Sequence, residues 1–494
     1  MKKTGFDNEK YVETQSRHIK ERIAQFGGKL YLEFGGKLFD DHHAARVLPG
    51  FAPDSKIRML AQLKEQAEIV IAINAADIEK NKVRGDLGIT YDVDVLRLID
   101  AFRSMGLYVG SVVITRWAGQ AAAAAFQRRL EDLGVRVCRH YPIDGYPHNI
   151  PLIVSEEGFG KSAFIETQRP LVVVTAPGPG SGKMAVCLCQ LFHEYQRGRQ
   201  AGYAKFETFP IWNLPLNHPV NLAYEAATAD LNDVNMIDPF HLSAYGETTV
   251  NYNRDVEVFP VLSAIFETIT GKSPYQSPTD MGVNMVGNCI IDDEVVQDSA
   301  RQEIVRRYYD ALCERRQGRG SDETVFKLEL LMKKAKASPA IRPVIARALE
   351  LAEETGLPAA ALELEDGRIV TGKTSQLMGP SAGALLNALK ALADIDQKVH
   401  LISPESILPI QRLKVEYLGS VNPRLHSDEI LIALASSAKS DPLAAKALDQ
   451  LAHLRNCQAH STVILSATDM GIYKKLGVQT TCEAQYETNK LYHR

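Results

Sequence analysis

No stretch of this chain reaches the roughly 18 consecutive apolar residues that a membrane-spanning helix needs. The first residues, Met1-Lys2-Lys3-Thr4-Gly5-Phe6-Asp7-Asn8-Glu9, lack the apolar run of a secretory signal. The seven cysteines are odd in number and widely scattered, and Cys187 and Cys189 share one predicted helix, which excludes a disulfide framework. A net charge of −4 leaves no basic excess of the kind that nucleic acid or an anionic membrane attracts. Nor is there an internal repeat of fixed period or a low-complexity tract. These absences predict a cytoplasmic protein with no nucleic-acid and no membrane partner. What is present is ordinary globular material. Its 494 residues are 45% apolar and 23% charged, which is too long for one hydrophobic core and calls for two or three domains.

The pattern along the chain is α/β and multi-domain. Residues 1–291 read as an N-terminal α/β region with a sub-boundary near 168, residues 292–355 as a helical linker or subdomain, and residues 356–494 as a C-terminal α/β domain. Lys29–Phe34 and Lys37–Phe39 flank Gly35-Gly36 and predict a hairpin. Strands follow at Glu68–Ile73, Leu107–Ile114, Val135–Cys138 and Tyr203–Phe209, with helices at Ile57–Gln66, Val93–Met105, Ala118–Leu133 and Val220–Leu231. The helical stretch comprises Asp293–Arg316, Ser321–Ala335 and Ile341–Glu354, a charged surface on which a homo-oligomer is expected to form. Beyond it come a strand pair around Asp366-Gly367, a helix Ser381–Ala393, and strands Val399–Ile402 and Ser461–Ser466.

The most informative segment is Leu171-Val-Val-Val-Thr-Ala-Pro-Gly-Pro-Gly-Ser-Gly-Lys183, a buried strand that runs into a glycine turn and then a helix, Met184–Arg197. Strand, glycine loop and helix in this order form a phosphate-binding turn, because N–H groups and the positive end of the helix dipole converge on one point. Gly178, Gly180, Ser181, Gly182 and Lys183 are the candidate cofactor-binding residues, with Lys183 neutralising the phosphates. The expected ligand is a small phosphorylated molecule, ATP or a relative. The usual pattern begins with glycine and ends with a hydroxyl residue that holds Mg²⁺. Here those places are taken by Pro177 and Met184, so the need for Mg²⁺ is open.

A second segment, Gly367-Arg368-Ile369-Val370-Thr371-Gly372-Lys373-Thr374, matches the pattern at every fixed position. Glu365-Asp366-Gly367 is nevertheless a hairpin signal, and Arg368–Val370 are strand residues, so this segment is expected to be a strand. Lys373 and Ser375, with the helix start at Ser381, form a candidate anion pocket.

Partners for the first turn lie elsewhere in the N-terminal region. With Lys183, Asp238 and His218 are candidate catalytic residues. Lys37, Arg46, Asn213 and Asn217 are candidate substrate contacts, in a set that also includes Glu33, Lys205 and Glu207. Asn217 and His218 also suit a helix cap. Asn74, Lys80, Lys82, Arg84 and Asp86 follow one buried strand, and Arg116 follows another. Metal chemistry has weaker support. His193-Glu194 has Arg197 where a zinc helix needs its second histidine, and Cys457, His460, His453 and Cys482 do not reach a closed four-ligand spacing. No metal site is expected.

The segments Leu-Glu-Phe-Gly-Gly-Lys, Ala-Pro-Gly-Pro-Gly-Ser-Gly-Lys-Met, Phe-Glu-Thr-Phe-Pro-Ile-Trp-Asn-Leu-Pro-Leu-Asn-His-Pro-Val-Asn, Thr-Gly-Lys-Thr-Ser-Gln-Leu-Met-Gly and His-Ser-Thr-Val-Ile-Leu-Ser occur together in this chain. As a set, and over essentially the whole length, the chain resembles a bacterial family catalogued as domain of unknown function number eighteen forty-six. The resemblance implies an α/β N-terminal part, a helical middle and a separate α/β C-terminal part. It also implies that Pro177 and Met184 belong to a variant design of the loop. The label of ATP-dependent zinc protease, which members have carried, conflicts with Arg197. The residues themselves point to phosphoryl transfer or ATP-dependent ligation. The alternatives are a non-catalytic anion sensor or assembly protein and, more weakly, a metal-dependent hydrolase.

Overall fold

The computed structural model describes residues 3–85 and 87–488. The protein is α/β and multi-domain. One compact unit holds Thr4–Glu225 with Leu231–Ser299, and a second holds Ala226–Asp230 with the chain from Ala300 onward.

The first unit is built on a six-stranded parallel sheet. Counting only the strands of the two main sheets, these are β1 (Leu30–Phe34), β2 (Ala67–Asn74), β3 (Tyr108–Thr115), β4 (Val137–Arg139), β5 (Leu171–Thr175) and β6 (Gly202–Phe206). Their spatial order is β4-β3-β2-β5-β1-β6, and every adjacent pair is parallel. A parallel sheet is covered on both faces, which explains why its strands read as nearly unbroken apolar runs. Val172 and Val174 of β5 pack in one cluster with Val186, Leu191, Leu262 and Ile265 from the helices Lys183–Gln196 and Asn253–Thr270.

From β2 the chain winds outward to β3 and then β4, whereas from β5 it returns in the opposite sense to β6. The neighbouring carboxyl ends of β2 and β5 are therefore the reversal point of the sheet. At such a point the connections diverge and leave a crevice.

The hairpin expected at residues 29–39 does not form. β1 instead pairs parallel with β5 and β6, and Gly35-Gly36 only carry the chain off the sheet. The Gly35 N–H donates to the Phe206 carbonyl at 2.8 Å, and a Cβ on Gly35 would stand 2.9 Å from Glu207 Cγ. Close approach of backbone to neighbour, rather than a tight turn, is what requires glycine here.

The second unit holds helices Asp322–Ala335 and Pro343–Thr355 and a four-stranded sheet of β7 (Ala359–Glu363), β8 (Ile369–Lys373), β9 (Gln458–Ser461) and β10 (Gln479–Cys482), in the order β8-β7-β9-β10. β7 runs antiparallel to both neighbours, and β9 and β10 are parallel. Leu362, Leu385, Leu389, Ile430, Leu434 and Tyr473 fill its core. The expected strand at Val399–Ile402 is absent. Leu401 and Ile402 enter this core from irregular backbone, so their burial needed no ladder. The strand expected at Ser461–Ser466 ends at Ser461.

Candidate functional site

The glycine turn between β5 and the helix Lys183–Gln196 lies at the reversal point, and the sheet clamps it from one side. Thr115, the last residue of β3, donates through Oγ1 to the Ser181 carbonyl at 2.8 Å. Asn74, the last residue of β2, donates through Nδ2 to the Gly180 carbonyl at 3.4 Å. The Ser181 hydroxyl donates to the Gly178 carbonyl at 2.6 Å. With these three carbonyls engaged, the turn presents its donors outward. The N–H groups of Gly180, Ser181, Gly182 and Lys183 give no hydrogen bond to any of the described residues.

Glycine is required here for two reasons. Gly180 and Gly182 adopt φ of 75° and 84°, which costs a side-chain-bearing residue roughly 1–2 kcal/mol. A Cβ at Gly178 would fall on the hydroxyl of Tyr91. Gly182 is the N-cap of a 14-residue helix and supplies no side-chain cap, so the positive end of the dipole is left open. Lys183 is the first residue of that helix. It is half-buried and forms no hydrogen bond or ion pair among the described residues. Arg116, one residue past β3, is exposed and held at φ 53°, a left-handed backbone that a non-glycine residue adopts at a cost.

Acidic residues stand along the same carboxyl edge. Glu33 near the end of β1 is buried and accepts a hydrogen bond from the Tyr203 hydroxyl at 2.7 Å. Burial and then the Glu33 charge push the Cys187 thiol up, and Lys183 opposes them. Glu33 and Lys183 thus act on the same sulfur.

At β6 the Lys205 ammonium meets both Asp255 oxygens at 2.6 Å, Glu207 Oε1 at 3.2 Å and the Tyr252 hydroxyl. Burial works against the Lys205 charge, but Asp255, Glu207 and Glu33 together raise its pKa. Glu207 is pushed up to about 7, first by burial, then by Asp255 and Glu33 against the pull of Lys205. Titratable groups perturbed in this way, at the carboxyl edge of an open sheet, make this cluster a candidate site.

The other residues singled out in the sequence are placed as follows. Lys37 is exposed in the turn after β1, and Arg46 is half-buried in the helix His42–Val47. Asn213 is exposed and donates to Asn288 Oδ1 at 3.0 Å, and Asn217 is exposed ahead of the helix Pro219–Ala227. His218 takes the Val220 N–H on Nδ1 at 3.2 Å, so Nε2 carries the proton toward Asp293 at 2.9 Å. Both ring nitrogens are then occupied, and the residue caps a helix.

Asp238 is fully buried as N-cap of the helix Pro239–Tyr245. It accepts from the N–H groups of Phe240 and His241 at 3.0 Å and from the Thr279 hydroxyl at 2.6 Å. Its acceptors are spent on structure. Lys373, exposed at the end of β8, and Ser375, whose Oγ accepts from the Met378 N–H at 3.1 Å, belong to the second unit, not to the unit of the glycine turn. Asp86 lies outside the described residues. Asp255 and Tyr252 went unnoticed in the sequence, for they stand some fifty residues beyond Lys205 with no motif to mark them.

Among the described residues, no group of three or more His, Cys, Asp or Glu side chains is placed to hold a metal ion. His193 faces the Ser162 carbonyl at 2.8 Å, and Glu194 pairs with Lys29 at 3.0 Å. His460 is buried with Nδ1 2.9 Å from the Thr481 hydroxyl. No helix of the described residues is long and apolar enough to cross a membrane.

Comparison with known proteins covers the chain from end to end. Residues 4–336 match the family model described as domain of unknown function DUF1846, N-terminal, and residues 340–492 match its C-terminal counterpart. The chain is 58% identical over 494 residues, all of both sequences, to the "UPF0371 protein" of Streptococcus pneumoniae strain JJA. Identity and coverage are the same for those of strains CGSP14 and R6. With both halves of the model matched in order, the chain belongs to the DUF1846 family.

Proposed function

We propose that the first unit binds a phosphorylated small molecule, ATP or another nucleotide among them, on the turn Gly178–Lys183. The observation that carries this reading is the set of four N–H groups at Gly180–Lys183 that find no partner among the described residues, beside an ammonium with no counter-ion among them, at the start of a helix. Such a donor array binds phosphate oxygens through backbone geometry and dipole together. Arg116 supplies a second cation on the β3 side. Because the chemistry of phosphoryl groups is mainly positioning and charge neutralisation, phosphoryl transfer or ATP-dependent ligation is the reaction class that fits. The position after Lys183, where the usual pattern has its Mg²⁺-binding hydroxyl, is Met184, so any divalent ion would come with the ligand. The exposed Phe326 and Leu330 on the helix Asp322–Ala335 support self-association through the helical stretch, which light scattering reads directly.

Thermal melting with ATP, ADP, GTP and inorganic phosphate, each with and without Mg²⁺, tests the binding. A ligand at a hundred times its Kd adds about 2.7 kcal/mol, or on the order of 4–5 °C for a unit of this size. A wild-type protein that none of these compounds stabilises would sink the reading. Stabilisation by phosphate alone, with no ADP or AMP formed from ATP, would favour an anion sensor instead.

A further inference from the structure

We propose that the second unit carries an anion site of its own at the start of the helix Pro380–Leu392, and that its ligand is a carboxylate. The site is independent of the glycine turn. β8 and β9 both run antiparallel to β7, and β10 runs parallel to β9, so β8, β9 and β10 all end at one edge of their sheet. The helix Pro380–Leu392 is the next element after β8 and starts from that edge, where ligands of α/β sheets bind.

The first turn of this helix is open. Its N-cap is Gly379, which supplies no side-chain cap, and Pro380 brings no N–H. The N–H groups of Ser381 and Ala382 give no hydrogen bond to any of the described residues. A Cβ on Gly379 would meet nothing within 4 Å, so there is free space where a capping side chain usually sits. Tyr473 donates to the Ser381 carbonyl at 2.8 Å, which fixes the turn without using its donors.

Two buried hydroxyls point to an occupant. β8 runs along this helix toward its start. The Thr371 carbonyl takes the Asn387 amide at 2.8 Å, and a Cβ on Gly372 would run into the Ala384 nitrogen. One step further, a Cβ on Gly383 would stand 3.6 Å from the Lys373 carbonyl oxygen. Gly372 therefore faces the helix. The Thr374 N–H extends the ladder to the Pro358 carbonyl at 2.8 Å, so Thr374, two residues after Gly372, faces the same side at the level of the first turn. Thr374 is 3% exposed, and its Oγ1 has no partner among the described residues. Ser381 is 2% exposed, and its hydroxyl also finds no partner among them. Buried hydroxyls are seldom left in that state. Lys373 alternates to the other side, and the Ser375 hydroxyl closes its own turn on Met378, so neither belongs to the site.

Two N–H groups and two hydroxyls match the roughly four lone-pair sites of one carboxylate. A phosphate group, with three terminal oxygens and up to two charges, would leave acceptors unserved.

Acetate is the probe, read by saturation-transfer NMR of its methyl signal. The full-length chain carries Lys183→Ala, so that the glycine turn is disabled. Transfer to acetate is expected. Thr374→Val and Ser381→Ala each remove one donor and should weaken acetate binding on the order of tenfold. Thr374→Val should not lower the thermal midpoint without ligand, which separates a binding hydroxyl from a structural one. Gly379→Asp supplies a carboxylate from the chain itself, and should raise that midpoint and abolish the transfer. No transfer to acetate, or transfer unchanged by Gly379→Asp and Thr374→Val, would overturn the proposal. Inorganic phosphate that displaces acetate at concentrations below the Kd of acetate would overturn the carboxylate assignment.

Discussion

Two segments of this chain end in Gly-Lys, and their backbones are used in opposite ways. In Gly178–Lys183 the carbonyls are tied to Asn74, Thr115 and Ser181 while the N–H groups remain available. In Gly367–Thr374 the residues from Ile369 to Lys373 form the edge strand β8, paired antiparallel with β7, so successive N–H groups point to opposite sides and cannot converge on one phosphate. Thr374 N–H goes to the Pro358 carbonyl. The segment that matches the phosphate-loop pattern letter for letter is the one whose backbone is committed elsewhere. A phosphate loop is a property of where the N–H groups point, and the letters are a proxy for it.

Substitutions can break this contrast, and the largest effect is expected at Gly372. A Cβ there would run into backbone atoms of Gly383 and Ala384, which cannot swing aside. Gly372→Ala should cost about 3 kcal/mol or more in a denaturant melt of the second unit and leave ATP binding alone. Lys183→Ala should do the reverse, with unchanged stability in the absence of ligand and loss of the roughly 2.7 kcal/mol that a saturating phosphorylated ligand adds.

Glu207→Gln should alter the pH profile rather than the midpoint at one pH. The folded state raises this carboxyl from 4.5 to about 7, so its contribution to stability is full below about 4.5 and is lost as pH rises through 7. The variant should flatten that decline, by on the order of 2 kcal/mol, in melts taken from pH 4 to 8. His426 has the same sign for another reason. The Asp469 hydrogen bond, at 2.8 Å, raises its pKa above 6.5, so the stability it adds is present below that value and lost above it. The smallest effect is expected for Lys373→Ala. It sits exposed at the end of β8 and should change stability by less than about 0.5 kcal/mol, with no effect on ligand binding.

Much of the fold was legible because its parts are local. Leu171-Val-Val-Val-Thr can only be a doubly buried strand, and Gly182-Lys183 before an amphipathic run can only start a helix. The helices Asp322–Ala335 and Pro343–Thr355 follow from their periodicity, and the break at Gly318–Gly320 separates the first of them from Asp293–Arg316. Misreadings arose where one residue pair serves two purposes. Gly35-Gly36 looks like a hairpin turn, but it lets a strand pass close to Glu207. Gln479–Cys482 gave no signal, being polar in sequence although Thr480, Thr481 and Cys482 are buried in the sheet.

The candidate site was legible residue by residue along β6, at Lys205 and Glu207, but not as a network. Asp255 is the first of the charges that raise the pKa of Lys205 against burial, and after burial it adds to the proton affinity of Glu207, and only the tertiary fold brings it there. His218 and Asp238 have the residue types of catalysis, yet their polar atoms serve helix starts.

Gly178 and Tyr91 have a consequence for how this loop changes over generations. Tyr91, buried at the head of the helix Tyr91–Ser104 with the Lys82 ammonium 5.0 Å from its ring centre, occupies the volume that any side chain at 178 would need. The two positions are therefore coupled through packing. Trimming the tyrosine first opens a permissive path to alanine at 178, while the reverse order passes through a jammed intermediate. Measured as a double-mutant cycle, the pair should be strongly non-additive. The glycine would then persist under selection for packing even in a lineage that had stopped using the turn.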